Sequence, residues 1–206
     1  VPEFHFTVVN NTDRLNYTFY AKDQAYALLI ATYMPHPEDS YIRDIATSNL
    51  LVFPGMTIQA AVDAANPGDT VLVASGTYEE NVYTGDTRVV KGLTVRGIPD
   101  ADGDYPLVKG SMKFGRDRNL GGDYVHKNLV LENFRIEANL TDTSLYGTTR
   151  HALWVENFEI AQLRNLELVG TEPNSMFAIQ YGLSVGGRAK NYTIDNVKME
   201  NFLIGV

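Results

Sequence analysis

The stretch Thr57–Val82, TIQAAVDAANPGDTVLVASGTYEENV, limits the possible folds more than any other part of the chain. Thr57 can accept a hydrogen bond from the free N–H groups that begin a helix. A helix is therefore predicted over Thr57–Asn66, with Ile58, Ala61, Val62 and Ala65 on one face. Asn66-Pro67-Gly68-Asp69 ends it, because Pro cannot continue a helix and Gly and Asp suit the turn. Thr70–Ala74 is a short β-branched run, as expected of a strand covered on both faces. Ser75-Gly76 turns the chain, and Thr77–Val82 resumes it. The plainer reading is a helix–strand pair of an α/β domain. Against it, the chain beyond Val82 holds no second amphipathic helix.

Beyond Val82 the sequence has the character of a repeat. Lys91-Gly92-Leu93-Thr94-Val95, Lys127-Asn128-Leu129-Val130-Leu131, Arg164-Asn165-Leu166-Glu167-Leu168 and Lys190-Asn191-Tyr192-Thr193-Ile194 share one pattern. A basic residue leads, then Gly or Asn, then apolar–any–apolar. Ala152-Leu153-Trp154-Val155 and Gly182-Leu183-Ser184-Val185 form a second set. Glu132-Asn133-Phe134, Glu156-Asn157-Phe158 and Glu200-Asn201-Phe202 form a third. Short strands at irregular spacings of a few tens of residues indicate stacked coils. Asn recurs where turns are expected and tolerates left-handed backbone there.

The order helix, P-G-D-T-V strand, then G-T-Y-x-E-N-V resembles the opening of the right-handed parallel β-helix in the pectin-lyase-like superfamily. The resemblance runs nearly continuously over Thr57–Val82. It implies an all-β solenoid with an N-terminal capping helix, of roughly four to six coils between Thr70 and Val206. Leu72, Leu93, Val95, Leu129, Leu131, Leu153, Val155, Leu166, Leu168, Leu183, Val185 and Ile194 are expected to point inward. The resemblance implies no activity, because pectin methylesterases, lyases and surface proteins share this opening.

Residues 1–54 are expected to form an extension that packs on a solenoid of residues 55–206, or on a neighbouring subunit. Phe4, Phe6 and Val8 alternate as in a strand, and Leu15–Tyr20 is a second candidate joined to it as a hairpin. Asp23 is placed to cap a short helix over Gln24–Tyr33. The segment is too small for a core of its own. At the other end, Phe202, Ile204 and Val206 close the chain in an apolar strand pattern. A truncated chain explains that. So does an assembly surface, with Phe4–Val9 of another copy as the covering strand of a homo-oligomer or filament.

Several features suggest an exported, extracellular or cell-surface protein. There is no Cys, so neither disulfides nor thiol chemistry are available. The first residue is Val, as after removal of a signal peptide or trimming. Asn10, Asn16, Asn139 and Asn191 begin glycosylation triplets. No run is apolar enough to span a membrane. A formal charge of −8 argues against nucleic acid as a partner. An acidic polysaccharide would need local positive charge or bridging cations.

Catalytic patterns are sparse. The Gln and paired Asp residues and the Arg-Trp element of pectin methylesterases have no counterpart here. Arg88, Arg96, Arg116 and Arg118 are not singled out as a lyase base by their context. Asp123, Glu132 and Glu156 are scattered among turns. Arg150-His151 before a strand could supply a general base but reads more simply as a strand edge, and His126 carries less. Asp100-Ala101-Asp102-Gly103-Asp104 resembles a calcium loop, with Asp100, Asp102 and Asp104 as ligands. Tyr105 stands where Gly is expected, and an acidic turn fits equally. The leading expectation is a non-catalytic, exported β-helix protein that builds a cell surface, as a self-assembling filament subunit. The alternatives are a carbohydrate-active enzyme, or a fragment of one, and a carbohydrate-binding or adhesive module.

Overall fold

The computed structural model describes residues 4–8, 18–21, 40–44, 48–84, 92–115, 126–138, 150–170, 180–186 and 190–202. The helix expected over Gln24–Tyr33 lies outside them, as do Asn10, Asn16, Asn139, Ile204 and Val206. The described residues are mostly strand, with parallel sheets and one short helix. The N-terminal part contributes β1 (Phe4–Val8), β2 (Thr18–Ala21), β3 (Ile42–Asp44) and β4 (Asn49–Val52). Then come α1 (Ile58–Ala64), β5 (Thr70–Ala74), β6 (Thr77–Tyr78), β7 (Val82–Tyr83) and β8 (Leu93–Ile98). β9 (Leu107–Lys109), β10 (Met112–Phe114) and β11 (His126–Ala138) come next. The last elements are β12 (Arg150–Glu156), β13 (Phe158–Gly170), β14 (Gln180–Gly186) and β15 (Asn191–Glu200).

The chain visits two sheets in alternation. β4, β5, β8, β11, β13 and β15 lie side by side and parallel in the larger one. β6 and β9 extend it by pairing beside the second half of β11. β7, β10, β12 and β14 form a smaller parallel sheet. Equivalent residues therefore stack in rows. Leu50, Val71, Val95, Leu131, Leu163 and Ile194 make one row. Tyr78, Val108, Ile136, Leu168 and Met199 make another. Val82, Met112, Leu153 and Leu183 make the row of the smaller sheet. All three feed one core.

Two inward assignments are corrected. Leu72 is buried, but its row continues to Arg96 and Glu132, on the face opposite Val71 and Val95. The run Val71-Leu72-Val73 alternates like any strand, and this end of the sheet is covered on both sides. Ile194 keeps the inward row position beside Leu163 but is 46% exposed. It lies on β15, which among the described residues has a neighbouring strand, β13, on one side only.

The chain turns its corners on left-handed Asn. Asn133, Asn165 and Asn196 have φ of 63°, 50° and 50°, and each bends a long strand in its middle. Asn196 Nδ2 donates to Asn165 Oδ1 at 2.9 Å, and Asn165 Nδ2 donates to Asn133 Oδ1 at 2.9 Å. Asn133 Nδ2 donates to the Gly97 carbonyl at 3.2 Å. Left-handed backbone costs an L-residue ~1–2 kcal/mol, least for Asn, and each amide bond returns ~1 kcal/mol. Asn165→Ala is therefore expected to destabilise by ~2–4 kcal/mol, from the backbone and two lost bonds. Asn165→Gly loses only the bonds and should cost about half as much. Urea unfolding of both variants checks this; equal costs would mean that backbone conformation is not what Asn165 supplies.

The start of α1 differs from expectation. Thr57 makes no side-chain cap. The Glu80 carboxylate accepts from the Ile58 and Gln59 N–H groups instead, at 2.7 and 2.9 Å. Anionic oxygens suit the positive end of a helix. Burial nevertheless raises the Glu80 pKa above the usual carboxylate value, against the two hydrogen bonds that lower it. The Gln59 amide pairs with the Tyr83 backbone in both directions, at 2.8 and 2.6 Å. It stands in for a neighbouring strand at the β7 edge of the smaller sheet.

The larger sheet crosses residue 54 without a break. β1 pairs antiparallel with β2, as the expected hairpin does, and also with β3, which pairs with β4. Arg43 of β3 ties this extension to the helix–strand turn. It donates to Asp69 at 2.9 Å and to the Ala64 carbonyl at 2.6 Å. β1 is thus flanked by β2 on one side and, from Phe6 to Val8, by β3 on the other. Among the described residues the strand at this edge of the sheet is β2. Phe202 also departs from expectation. β15 ends at Glu200, Asn201 is left-handed at φ 61°, and Phe202 packs past that corner, partly buried against the core.

Candidate functional site

The polar residues with unusual surroundings gather on the smaller sheet. Its residues alternate, so those one position after the inward row face the other way. Tyr83, Lys113, Trp154 and Ser184 make that outward row. Lys113 is nonetheless only 4% exposed. Its ammonium sits 4.2 Å from the Trp154 ring centre and 5.8 Å from that of Tyr83. Two electron-rich faces thus offset part of the cost of burying a cation. His151 stacks on Tyr181, its row neighbour, at 4.8 Å and 12° between planes, and lies 4.6 Å from Trp154. Glu156, at the end of the same strand, is also buried.

Burial, then the charge of Lys113, lowers the His151 pKa from its ordinary 6.5 to about 4. The imidazole is therefore neutral at pH 7, able to accept a proton but unable to keep one. Above pH 6.5 folded and unfolded chains both hold His151 neutral, and the folded state has its full stability. As pH falls from 6.5 towards 4, the unfolded chain takes up a proton that folded His151 refuses. The loss reaches ~3 kcal/mol. Lys113 is the charged neighbour that this difference involves. The expected result is a steeper loss of urea stability from pH 7 to 4.5 in the native chain than in His151→Asn. Parallel curves would mean that His151 protonates freely when folded.

A groove of about 470 Å³ lies at the Asn bend of the larger sheet, lined by Tyr105, Arg135, Asn165, Glu167, Asn196 and Lys198. Asp104 also lines it, and three of its other charges are engaged with one another. Glu167 lies 3.7 Å from Arg135 and 3.2 Å from Lys198, and Arg135 also reaches Glu137 at 3.1 Å.

Asp100, Asp102 and Asp104 stay in one loop but do not converge. Among the described residues no group of three or more His, Asp or Glu side chains could hold a metal ion. Asp100 Oδ1 accepts from the N–H groups of Asp102 and Asp104 at 3.0 and 2.9 Å. Ser75 Oγ donates to Oδ2 at 3.3 Å. These bonds, led by that from Asp104, hold the Asp100 pKa below the usual carboxylate range. The carboxylate closes its own turn. Asn191 is exposed on β15, where its triplet is open to solvent.

The Arg150-His151 pair is divided: His151 joins the cluster, while the Arg150 side chain lies outside the described residues. Lys113, Tyr83 and Tyr181 are not singled out by the sequence. Tyr83, Lys113, Trp154 and Ser184 each come one position after an inward apolar residue: Val82, Met112, Leu153 and Leu183. That regularity was the available signal, but it becomes a cluster only once the register is known. Glu132 lies between Arg96 and Arg164, and Asp123 lies outside the described residues.

Compared with protein-family models, curated proteins and solved structures, the chain matches none.

Proposed function

We propose that this chain is a right-handed parallel β-helix, similar to the pectin-lyase-like superfamily. In this reading it is exported to the cell surface and serves there as a non-catalytic scaffold built into a larger assembly. The winding is supported by the repeated return from larger to smaller sheet in constant register, and by the Asn ladder at the bend. The observation that carries the scaffold reading is how the acidic side chains are used. Glu132, Glu159 and Glu167 each lie between basic residues of neighbouring rungs. Glu80 holds the start of α1, and Asp69 holds Arg43. These carboxylates fix register. The apolar inward row reaching exposed Ile194 supports continuation of the stack. Among the described residues no helix is long and apolar enough to cross a membrane.

Negative-stain electron microscopy of protein isolated from its native source tests this reading. Particles longer than one chain's stack of rungs are expected. Uniform short particles that do not associate at high concentration would defeat the assembly reading.

A carbohydrate-directed function, as binding module or enzyme, is favoured by one feature, the Tyr83–Lys113–Trp154 row with His151 and Tyr181. Tyr83, Trp154 and Tyr181 are half-buried rings of the kind that stack on sugars. Titration calorimetry with polygalacturonate separates the two readings. The scaffold reading expects no heat that depends on Trp154 and no release of unsaturated uronides.

A further inference from the structure

The outer face of the larger sheet carries a code of charge that alternates from rung to rung. Lys127 faces Glu159 at 3.3 Å, and Glu159 faces Lys190 at 3.5 Å. Arg96 pairs with Glu132, Glu132 lies 4.0 Å from Arg164, and Arg164 stands in register with Asp195. Arg135, Glu167 and Lys198 continue the same rule in a third row. In each row a charge meets its opposite one rung on and its like two rungs on.

Among the described residues, β15 is the edge of this sheet, with β13 on one side only. It presents Lys190, Asp195 and Lys198, all exposed, together with half-packed Tyr192, Val197 and Met199. Asn196 uses its Nδ2 on Asn165, so its Oδ1 points the ladder onward. Unpaired strand edges recruit strands, and opposite charges across a pair favour one register over others.

We propose that the β15 edge binds a parallel strand of defined chemistry. That strand carries an acidic residue opposite Lys190, a basic residue opposite Asp195, Asn opposite Asn196 and an acidic residue opposite Lys198. Apolar residues face Ile194 and Val197. The inference rests on the assembly reading above and adds what the partner must look like. β13 already has this pattern, as Glu159, Arg164, Asn165 and Glu167. β11 has the opposite one. Its Lys127, Glu132 and Arg135 would set like charge against Lys190, Asp195 and Lys198. Like charges directly opposite are destabilising.

The chain therefore contains the sequences of both a matching and a mismatched probe. Three monomeric synthetic peptides are titrated against the intact protein. One has the sequence Phe158–Gly170 and the second the sequence His126–Ala138. The third is the first with Glu159→Lys, Arg164→Glu and Glu167→Lys. The first should bind at least tenfold more tightly than the other two, with an affinity that falls as salt rises. Hydrogen exchange should slow within Asn191–Glu200. Equal binding of all three peptides, no binding of the first, or protection elsewhere would each overturn the proposal. So would protection of β15 that rises with the protein's own concentration, which would make the partner a second copy. If native particles are long but the first peptide fails, the code is wrong and the assembly reading stands. If the peptide binds but native particles are short, the reverse holds.

Discussion

Leu131→Asp is expected to leave the chain unfolded, to be judged by loss of the β signal in circular dichroism and of any cooperative urea transition. Leu131 is fully buried in the row between Val95 and Leu163. Removing a buried Leu side chain costs ~2–5 kcal/mol through lost burial and the cavity left behind. The carboxyl that replaces it has a stacked apolar neighbour on either side. Burying a polar group without a partner adds ~1–3 kcal/mol, even after it takes up a proton. The sum is comparable with the whole stability of an ordinary domain, ~5–15 kcal/mol. Two controls separate burial from composition. Leu131→Met conserves volume and should cost under ~1.5 kcal/mol. Ile194→Asp changes the same row at its exposed end and should cost far less than Leu131→Asp. If Ile194→Asp proves as damaging, the end of the row is covered by something outside the described residues.

The contrast between Leu131 and Ile194 shows what could be read from residues alone. Apolar alternation placed both in one row, and the row is there. Exposure depends on how many rungs come after, which no local pattern records. The tripeptide Glu-Asn-Phe was readable in the same limited way. Asn133, Asn157 and Asn201 all adopt left-handed backbone, at φ of 63°, 58° and 61°. Yet the first bends the middle of β11, the second joins β12 to β13 and the third comes after β15. The motif encodes a corner and not which corner, because the demand is local. Arg164-Asn165-Leu166 shows the converse. Its spelling groups it with Lys127-Asn128-Leu129, but its register partners are Glu132 and Phe134, which put it at the bend. The Lys113 cluster was hidden for a related reason. Its members are brought together by register across four strands, and the intervening loop lengths conceal that register. The Glu80 cap was hidden because a carboxylate 22 positions beyond Ile58 takes the place expected for Thr57.

Gly97→Ala should rank with Leu131→Asp in cost, for a different reason. Gly97 lies in β8, where its backbone passes under the bend of β11. A Cβ on it would stand 1.8 Å from the Asn133 carbonyl oxygen, 2.7 Å from Pro106 Cγ and 2.8 Å from Pro106 Cδ. The first of these is backbone and cannot rotate aside. Relief requires moving the peptide of Asn133, which is the foot of the Asn ladder and donates to the Gly97 carbonyl itself. One methyl group would therefore open the strand pairing and loosen Asn165 and Asn196 above it. Overpacking in a close-packed interior costs ~1–3 kcal/mol when side chains can adjust, and more when backbone must. A loss of at least ~3 kcal/mol is expected. Gly92→Ala is the control, because a Cβ there meets only ordinary contacts, the nearest at 3.7 Å to Asn128. It should be neutral or slightly stabilising, since Ala has less backbone freedom to lose on folding. Guanidinium unfolding of the two variants decides between close approach and a general intolerance of Ala in these strands. Equal destabilisation would favour the second and would deny Gly97 its place beneath the ladder.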